Sequence, residues 1–392
     1  MQEDAGKGKP FCYLDHAATS PLRPEAEEAV LRVFRKEWGN PSSLHALGER
    51  ARRVLDEARS FLEGTLGAGR VVFTSGATEA NNLAVRGRIQ GKRPCRVLAL
   101  ATEHSSILET LKAMEREGHQ VTLLPVDEEG GLRVEELERA LTPAVRLVCI
   151  LGANNETGTL QPLEAIPPLV REKSPQAWIH VDWVQGFGRT RFDLQDLDVD
   201  SAAVSGHKIG APQGIGALAL KRKDGIKPIL TGGGQEGGVR SGTENLAGAA
   251  GLARAAEAAF GGAREEWDRL ASLKERLLSG LEEKAGEIRL NGPRKGGLPH
   301  ILNVSFPGVP AEVILHHLEE ENIYVGTGAA CSGRRKGGSH VLAAMGTPPW
   351  AAESAVRFSL GHTTTEADID RVLEVLPPLL ERLRRVGGRR KP

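Results

Sequence analysis

Short runs rich in valine, isoleucine, leucine and alanine recur through the first two-thirds of the chain, set off by glycine, proline or polar residues. They fall at 71–75 (VVFTS), 96–101 (RVLALA), 146–151 (RLVCIL), 177–182 (AWIHVD), 199–204 (VDSAAV) and 215–220 (IGALAL). Runs this apolar predict strands covered on both faces, rather than the strict alternation of a sheet with one wet face. Helix-like segments at 105–117 and 163–173 lie between them. After Pro24, the positions Ala26, Ala29, Val30, Val33 and Phe34 repeat at helical spacing. The alternation predicts an α/β fold, a mainly parallel sheet with helices on both faces.

The pattern changes near residue 245. Long helices are expected over 245–286, followed by strands near 300–306 and 355–360 mixed with helices at 311–320 and 365–385. That order predicts a smaller α+β domain. The division is placed at 14–250 for the large domain, with 1–13 and 251–392 forming the small one. The glycine-rich stretch TGGGQEGG (231–238) reads as a loop inside a site rather than a linker, given its length and the residues after it, Val239 to Asn245.

Composition acts mainly by exclusion. Lys plus Arg number 51, as do Asp plus Glu, so no overall field draws the chain to nucleic acid or to an acidic partner. The cysteines Cys12, Cys95, Cys149 and Cys331 lie far apart and form no C-x-x-C pair. That spacing disfavours a zinc site, a redox dithiol or a disulfide scaffold, and it fits a reducing compartment. The opening MQEDAGKGKP is polar and carries acids, which suits neither a signal nor a transit peptide, and no run reaches membrane-spanning length. A cytoplasmic enzyme with no metal centre and no membrane contact is the expectation.

Candidate chemistry sits where strands end. SGHK (205–208) follows a strand, and a lysine near buried strand ends loses its proton cheaply enough for Schiff-base chemistry with an aldehyde. Ser205 and His207 stand ready beside it for a phosphate. In TSGATEANN (74–82) a strand turns at Gly76 into a helix beginning near Ala77 and Thr78, which makes an anion site of the helix start. That turn is neither a P-loop nor a G-x-G-x-x-G, so the phosphate there points to a small cofactor rather than a nucleotide. In HVDWVQG (180–186), Asp182 closes a strand and can keep a pyridine nitrogen protonated, while Gln185 can bond a phenolic oxygen. His104 and Asn155 follow further strands, and the histidine is placed to stack on a flat ring and relay protons.

Taken in order, YLDHAAT (13–19), TSGATEANNLA, TEHSS, NNETG, VDWVQG, SGHK, RSGTEN (240–245), LNVSF (302–306), GAACS (328–332) and VRFSLG (356–361) resemble the cysteine desulfurases of the NifS/IscS-like group, within the fold-type-I pyridoxal-phosphate enzymes. The resemblance spans nearly the whole chain. It implies a seven-stranded, mainly parallel sheet and pyridoxal 5'-phosphate bound to Lys208. His104 would stack on the ring as acid–base, Asp182 would pair with the ring nitrogen and Gln185 with the phenolic oxygen. Ala77, Thr78, Ser205 and His207 would hold the phosphate, joined by Thr243 from a second subunit of a homodimer. Asn155 and Arg357 would hold the substrate, L-cysteine, the arginine offering its fork to the α-carboxylate. Cys331 would take the sulfur as a persulfide and pass it to an acceptor protein of iron–sulfur cluster assembly or tRNA thiolation, with L-alanine as the other product. Its surroundings, GTGAACSGRRKGGS (326–339), are glycine-rich and carry Arg334, Arg335 and Lys336, which favour a thiolate.

Some positions depart from the family pattern. Trp183 replaces a small residue beside Asp182 and is expected to alter ring packing; Gly237 stands where an arginine is usual, and Thr231 where a histidine is usual. Another fold-type-I enzyme, such as a selenocysteine lyase or an aminotransferase, is the nearest alternative, and an aminotransferase has no need of Cys331. From a different class, an idle sulfur-carrying subunit is disfavoured by the joint presence of Lys208, His104, Asp182 and Cys331.

Overall fold

The computed structural model describes residues 9–91, 93–327 and 338–387; Cys331, Arg334, Arg335 and Lys336 lie outside them. In chain order the strands are β1 (Cys12–Leu14), β2 (Arg70–Thr74), β3 (Arg96–Leu100), β4 (Gln120–Leu124), β5 (Val145–Leu151) and β6 (Trp178–Asp182). They continue as β7 (Ser201–Ser205), β8 (Gly216–Leu220), β9 (Arg289–Leu290), β10 (Ile301–Ser305), β11 (Ile323–Thr327) and β12 (Ala355–Ser359).

One sheet has seven strands in the order β2-β8-β7-β6-β5-β3-β4. Its members from β7 to β4 run parallel, and β8 is antiparallel to both β7 and β2. Two reversals leave β2 pointing the same way as β7. The carboxyl ends of β2, β3, β5, β6 and β7 therefore share one edge, where ligands of such sheets bind.

Helices cover both faces, as the apolar strands require. Helices Ala77–Arg88 and Ser105–Arg116 bury Leu83, Ala84, Ile107 and Leu111 against Val97, Cys149 and Leu218. Helices Pro24–Lys36, Ala46–Leu66 and Leu246–Gly261 bury Val33, Leu55, Leu62 and Leu252 with Val181 and Val204 on the other face. Phe34 departs from expectation and is 66% exposed. At 100° per residue Val33 falls nearly above Ala26, whereas Phe34 is turned a further 100° off that stripe.

The second sheet, β1-β11-β12-β10-β9, joins the N-terminal strand to the C-terminal part of the chain. Helices Ala263–Lys284, Ala311–Glu320 and Glu366–Gly387 close a separate core over it, built on Leu277, Leu281, Phe306, Ile314, Phe358 and Leu376. The 245–286 region is thus two helices with a break between Gly261 and Ala263. Among the described residues no helix is long and apolar enough to cross a membrane.

The shared edge depends on one close approach. A Cβ at Gly216 would lie 2.6 Å from Val204 O and 2.7 Å from Gly76 Cα, backbone on both sides. Only glycine lets β8 pass beneath the turn at Gly76 that starts the helix Ala77–Arg88. Gly216→Ala is expected to lower the unfolding free energy by about 1–3 kcal/mol, the usual cost of overpacking. Urea denaturation measures it, and a variant as stable as the parent would contradict this packing account.

Candidate active site

At that edge lies a cavity of about 560 Å³. Ala77, Thr78, His104, Asn155, Asp182, Gln185, Ser205, His207, Lys208 and Arg357 all line it, so residues singled out at several strand ends come together. Thr243 does not line it and is exposed. Cys331 lies outside the described residues. No residue of the 231–238 stretch lines the cavity either. That loop is pinned elsewhere, by Glu236, which takes Arg59 at 2.6 Å and the Phe73 N–H at 3.0 Å.

Lys208 ends a short 3-10 turn, Gly206–Lys208, directly after β7. Its Nζ donates to the carbonyls of Ala17 and Ala18, each at 2.7 Å. Gln185 Nε2 donates to the same Ala17 carbonyl at 3.0 Å, while its Oε1 lies 3.3 Å from His300 Nε2. The YLDHAAT segment thus supplies the acceptors that fix both side chains.

Asp182 is 3% exposed and therefore needs donors. Asn81 Nδ2 gives one to Oδ2 at 2.7 Å and the Val184 N–H another to Oδ1 at 3.2 Å. Because the Asn81 amide donates there, its Oδ1 must accept, and His180 Nε2 at 2.9 Å must carry the proton. His180 Nδ1 then accepts from Ser201 Oγ at 2.9 Å, which in turn accepts from Trp178 Nε1 at 2.7 Å. On the other side Asn81 Nδ2 reaches Ser106 Oγ at 2.8 Å, and that hydroxyl lies 2.8 Å from His104 Nδ1. The Ser106 N–H also meets Nδ1, at 3.2 Å, so Nδ1 is the acceptor and neutral His104 carries its proton on Nε2. One asparagine thereby sets the orientation of both Asp182 and, through Ser106, His104.

Arg357 comes from β12 in the other sheet and is 2% exposed. Its Nη2 pairs with Asp15 Oδ1 at 2.7 Å, its Nη1 donates to Asn155 O at 2.9 Å, and its Nε has no partner among the described residues. Glu103, beside His104, is fully buried; Oε1 accepts from the Leu151 N–H at 2.6 Å and Oε2 has no partner among the described residues. Burial, with Asp182 nearby, pushes the Glu103 carboxyl well above the usual range. Asn81, Asp15 and Glu103 lie in motifs already noted but were given no role from the sequence. Helical spacing offered a signal for Asn81, which sits one turn past Ala77 and so on the same side of its helix.

Trp183 turns out of the site. Its ring stacks on Phe192 at 4.7 Å and fills the space that side chains at Gly152 and Gly186 would need. It does not line the cavity. Beside Gly237 the space is occupied by the Arg70 guanidinium, which donates to Glu236 O.

A family model for class-V aminotransferases matches residues 12–372. The chain belongs to the class-V aminotransferase family, among its cysteine desulfurases of the NifS/IscS-like group. It is 39% identical over 381 residues to the cysteine desulfurase IscS of Clostridium botulinum strain Hall, 96% of each chain being covered. To a cysteine desulfurase of Cereibacter sphaeroides it is 40% identical over 377 residues, which cover 95% of this chain and 96% of that one. A solved NifS-like protein superposes with a TM-score of 0.89 at 35% identity, over 95% of this chain and 99% of the other. The expected fold, a mainly parallel α/β sheet of the fold-type-I kind, is borne out.

Two measurements follow from the network. Asn81→Leu keeps the volume but removes the Asp182 donor and the His180 acceptor; each orphaned group costs about 1–3 kcal/mol. Urea unfolding should show that loss, and an unchanged midpoint would remove Asn81 from this role. Burial also holds His180 down to about 3 and, with the Lys208 cation next to it, His207 down to about 4. Both stay neutral in the folded chain below the ordinary value of 6.5, where the unfolded chain takes up protons. Their contribution to stability is complete above about pH 6.5 and declines as the pH falls toward 4. A flat unfolding free energy between pH 7.5 and 5 would contradict neutral burial.

Proposed function

We propose that this chain is a cysteine desulfurase that converts L-cysteine to L-alanine and loads the sulfur onto Cys331, with pyridoxal 5'-phosphate as cofactor. The observation that carries the reading is the meeting of Lys208, Asp182, His104 and the helix start at Ala77 around one cavity. Their chemistry fits that cofactor. An amine suits its aldehyde, a buried carboxylate suits a protonated ring nitrogen, and a helix N-terminus flanked by Ser205 and His207 suits a phosphate. When bound, the cofactor supplies an electron sink that makes the substrate Cα proton removable.

Lys208 would hold the cofactor through Nζ, Asp182 and Gln185 would hold the ring, and Ala77, Thr78, Ser205 and His207 the phosphate. Thr243, exposed on this chain, would complete the phosphate site of a second copy in a homodimer. His104, which lines the cavity, would stack on the ring and act as acid–base through Nε2. Arg357 and Asn155 would hold the substrate. The α-carboxylate competes with Asp15 for the guanidinium, and the Arg357 Nε supplies a further donor for it. Lys208 would move the Cα proton, and the Cys331 thiolate would attack the substrate sulfur, forming the S–S bond as the substrate Cβ–S bond breaks and Cβ takes up a proton. Atoms balance as one thiol plus L-cysteine giving one persulfide plus L-alanine. We assign residues 14–250 to the cofactor-binding unit and 1–13 with 251–392 to the unit bearing Cys331. The persulfide passes to an acceptor protein of iron–sulfur cluster assembly or tRNA thiolation, in the cytoplasm.

Cys331→Ser should keep the cofactor absorbance band and reduce L-cysteine-dependent sulfide release to background. Mass spectrometry of the parent enzyme after L-cysteine should place one extra sulfur on Cys331. Release at the native rate from the variant would overturn the role of Cys331, and a parent lacking the band would overturn the cofactor.

A further inference from the structure

On the C-terminal side of the Cys331 segment the described chain resumes at Gly338 and is anchored at once. Ser339 caps the helix His340–Ala344, its Oγ accepting from the Leu342 N–H at 3.1 Å, and the same hydroxyl donates to Glu156 Oε2 at 2.5 Å. His340 Nε2 donates to Glu103 O at 2.9 Å. Ser339 and Glu156 are both buried, so water does not compete for the bond between them.

The acceptors are not random surface groups. Glu103 immediately precedes His104 and Glu156 immediately follows Asn155, and both of those neighbours line the cavity. Glu156 is itself immobilised: its N–H donates to Asn154 Oδ1 at 2.8 Å and its carbonyl accepts from Asn303 Nδ2 at 3.1 Å. Arg357 bonds the adjoining Asn155 carbonyl. Behind the anchor, Val341 and Leu342 are buried with Val126, Met345 and Ala355. A hydroxyl–carboxylate bond this well enclosed is more than the helix cap requires, since capping uses only the acceptor side of Ser339.

We propose that Ser339, through its bond to Glu156, is a positioning residue for sulfur transfer, fixing the root of the Cys331 segment to the strand-end loops that carry His104 and Asn155. The inference rests on the desulfurase reading. Cys331 lies four residues after Thr327 at the end of β11 and eight before Ser339, so the anchor sets the second of the two described ends that bracket the thiol. Fixing the anchor against the site raises the local concentration of the thiol at the substrate. Burial pushes Glu156 up to about 7, while the Ser339 hydroxyl, Arg357 and His104 pull it back. A side chain so near its neutral form tolerates an amide of the same shape, which keeps an acceptor oxygen for Ser339.

The test uses the cofactor-loaded full chain and separates substrate binding from sulfur transfer. L-Cysteine affinity is read from the change in the cofactor spectrum, and persulfide formation on Cys331 from quenched-flow mass spectrometry. Ser339→Ala should slow persulfide formation about tenfold while cysteine affinity stays within about twofold, since misplacement acts on the transfer step. Ser339→Thr, which keeps the hydroxyl, and Glu156→Gln should stay near the parent rate. Native-rate persulfide formation in Ser339→Ala overturns the proposal. So does an equal loss of cysteine affinity that threonine fails to restore, because that describes general damage. A parent enzyme that forms no persulfide on Cys331 overturns the desulfurase reading itself, and the anchor with it.

Discussion

A carboxylate sealed from water keeps its charge only where donors replace the water, and the organisation of this site follows from how Asp182 is supplied. Its donors are an amide side chain from the helix after β2 and the N–H of Val184 in the turn after β6. The amide comes from Asn81, whose other end is committed to His180 and whose NH₂ also reaches Ser106. Asn81 therefore cannot rotate without leaving several buried groups unpaired. The strand that presents Asp182, the helix that starts at the anion site and the loop that presents His104 are locked to one another by this single side chain.

The segment from Cys12 to Thr19 provides the second constraint. It adds β1 to the smaller sheet, in parallel register with β11, and then crosses to the larger one. On the way Asp15 engages Arg357, and the Ala17 and Ala18 carbonyls receive Lys208. Tyr13 Oη ties the turn down by donating to Thr19 O at 2.9 Å. A short stretch thus fixes the relative position of an arginine on one sheet and a lysine on the other. Gly326 on β11 leaves the space: a Cβ there would meet Asp15 Oδ1 at 2.6 Å and Arg357 Nη2 at 2.8 Å.

Local pattern made much of this legible. The doubly covered strands β2, β3, β5, β6, β7 and β8 show as apolar runs because each must fit between two layers of helix. The residues directly after them, such as His104, Asn155 and Lys208, show as polar punctuation. Elements that depend on distant pairing did not show. The strand β1 is three residues long and holds only because β11 lies beside it. The edge strand β4 carries a half-exposed Leu123 and presents no buried run. The roles of Asn81 and Asp15 were illegible for a related reason. Asparagine one turn into a helix and aspartate after a short strand have ordinary local explanations, and only the three-dimensional partners, His180, Asp182 and Arg357, give them purpose. Trp183 shows the converse. Its neighbourhood to Asp182 in sequence suggested contact with the ring, but the turn after β6 sends the indole to Phe192 instead.

The pair Glu103 and Asp182 shows how one strand edge can carry two buried carboxyl groups in unlike surroundings. Like charges brought together in a dry interior raise each other's cost, so the arrangement of donors decides where the charge resides. Asp182 receives an N–H on each oxygen, whereas Glu103 Oε1 accepts from the Leu151 N–H and Oε2 has no partner among the described residues. Burial, with Asp182 nearby, pushes the Glu103 carboxyl well above its usual range. Glu103 Oε1 supports the Leu151 backbone directly beside the residue that lines the cavity, His104. The edge thus carries two carboxyl groups in unlike surroundings, beside a histidine whose Nδ1 is already engaged by Ser106.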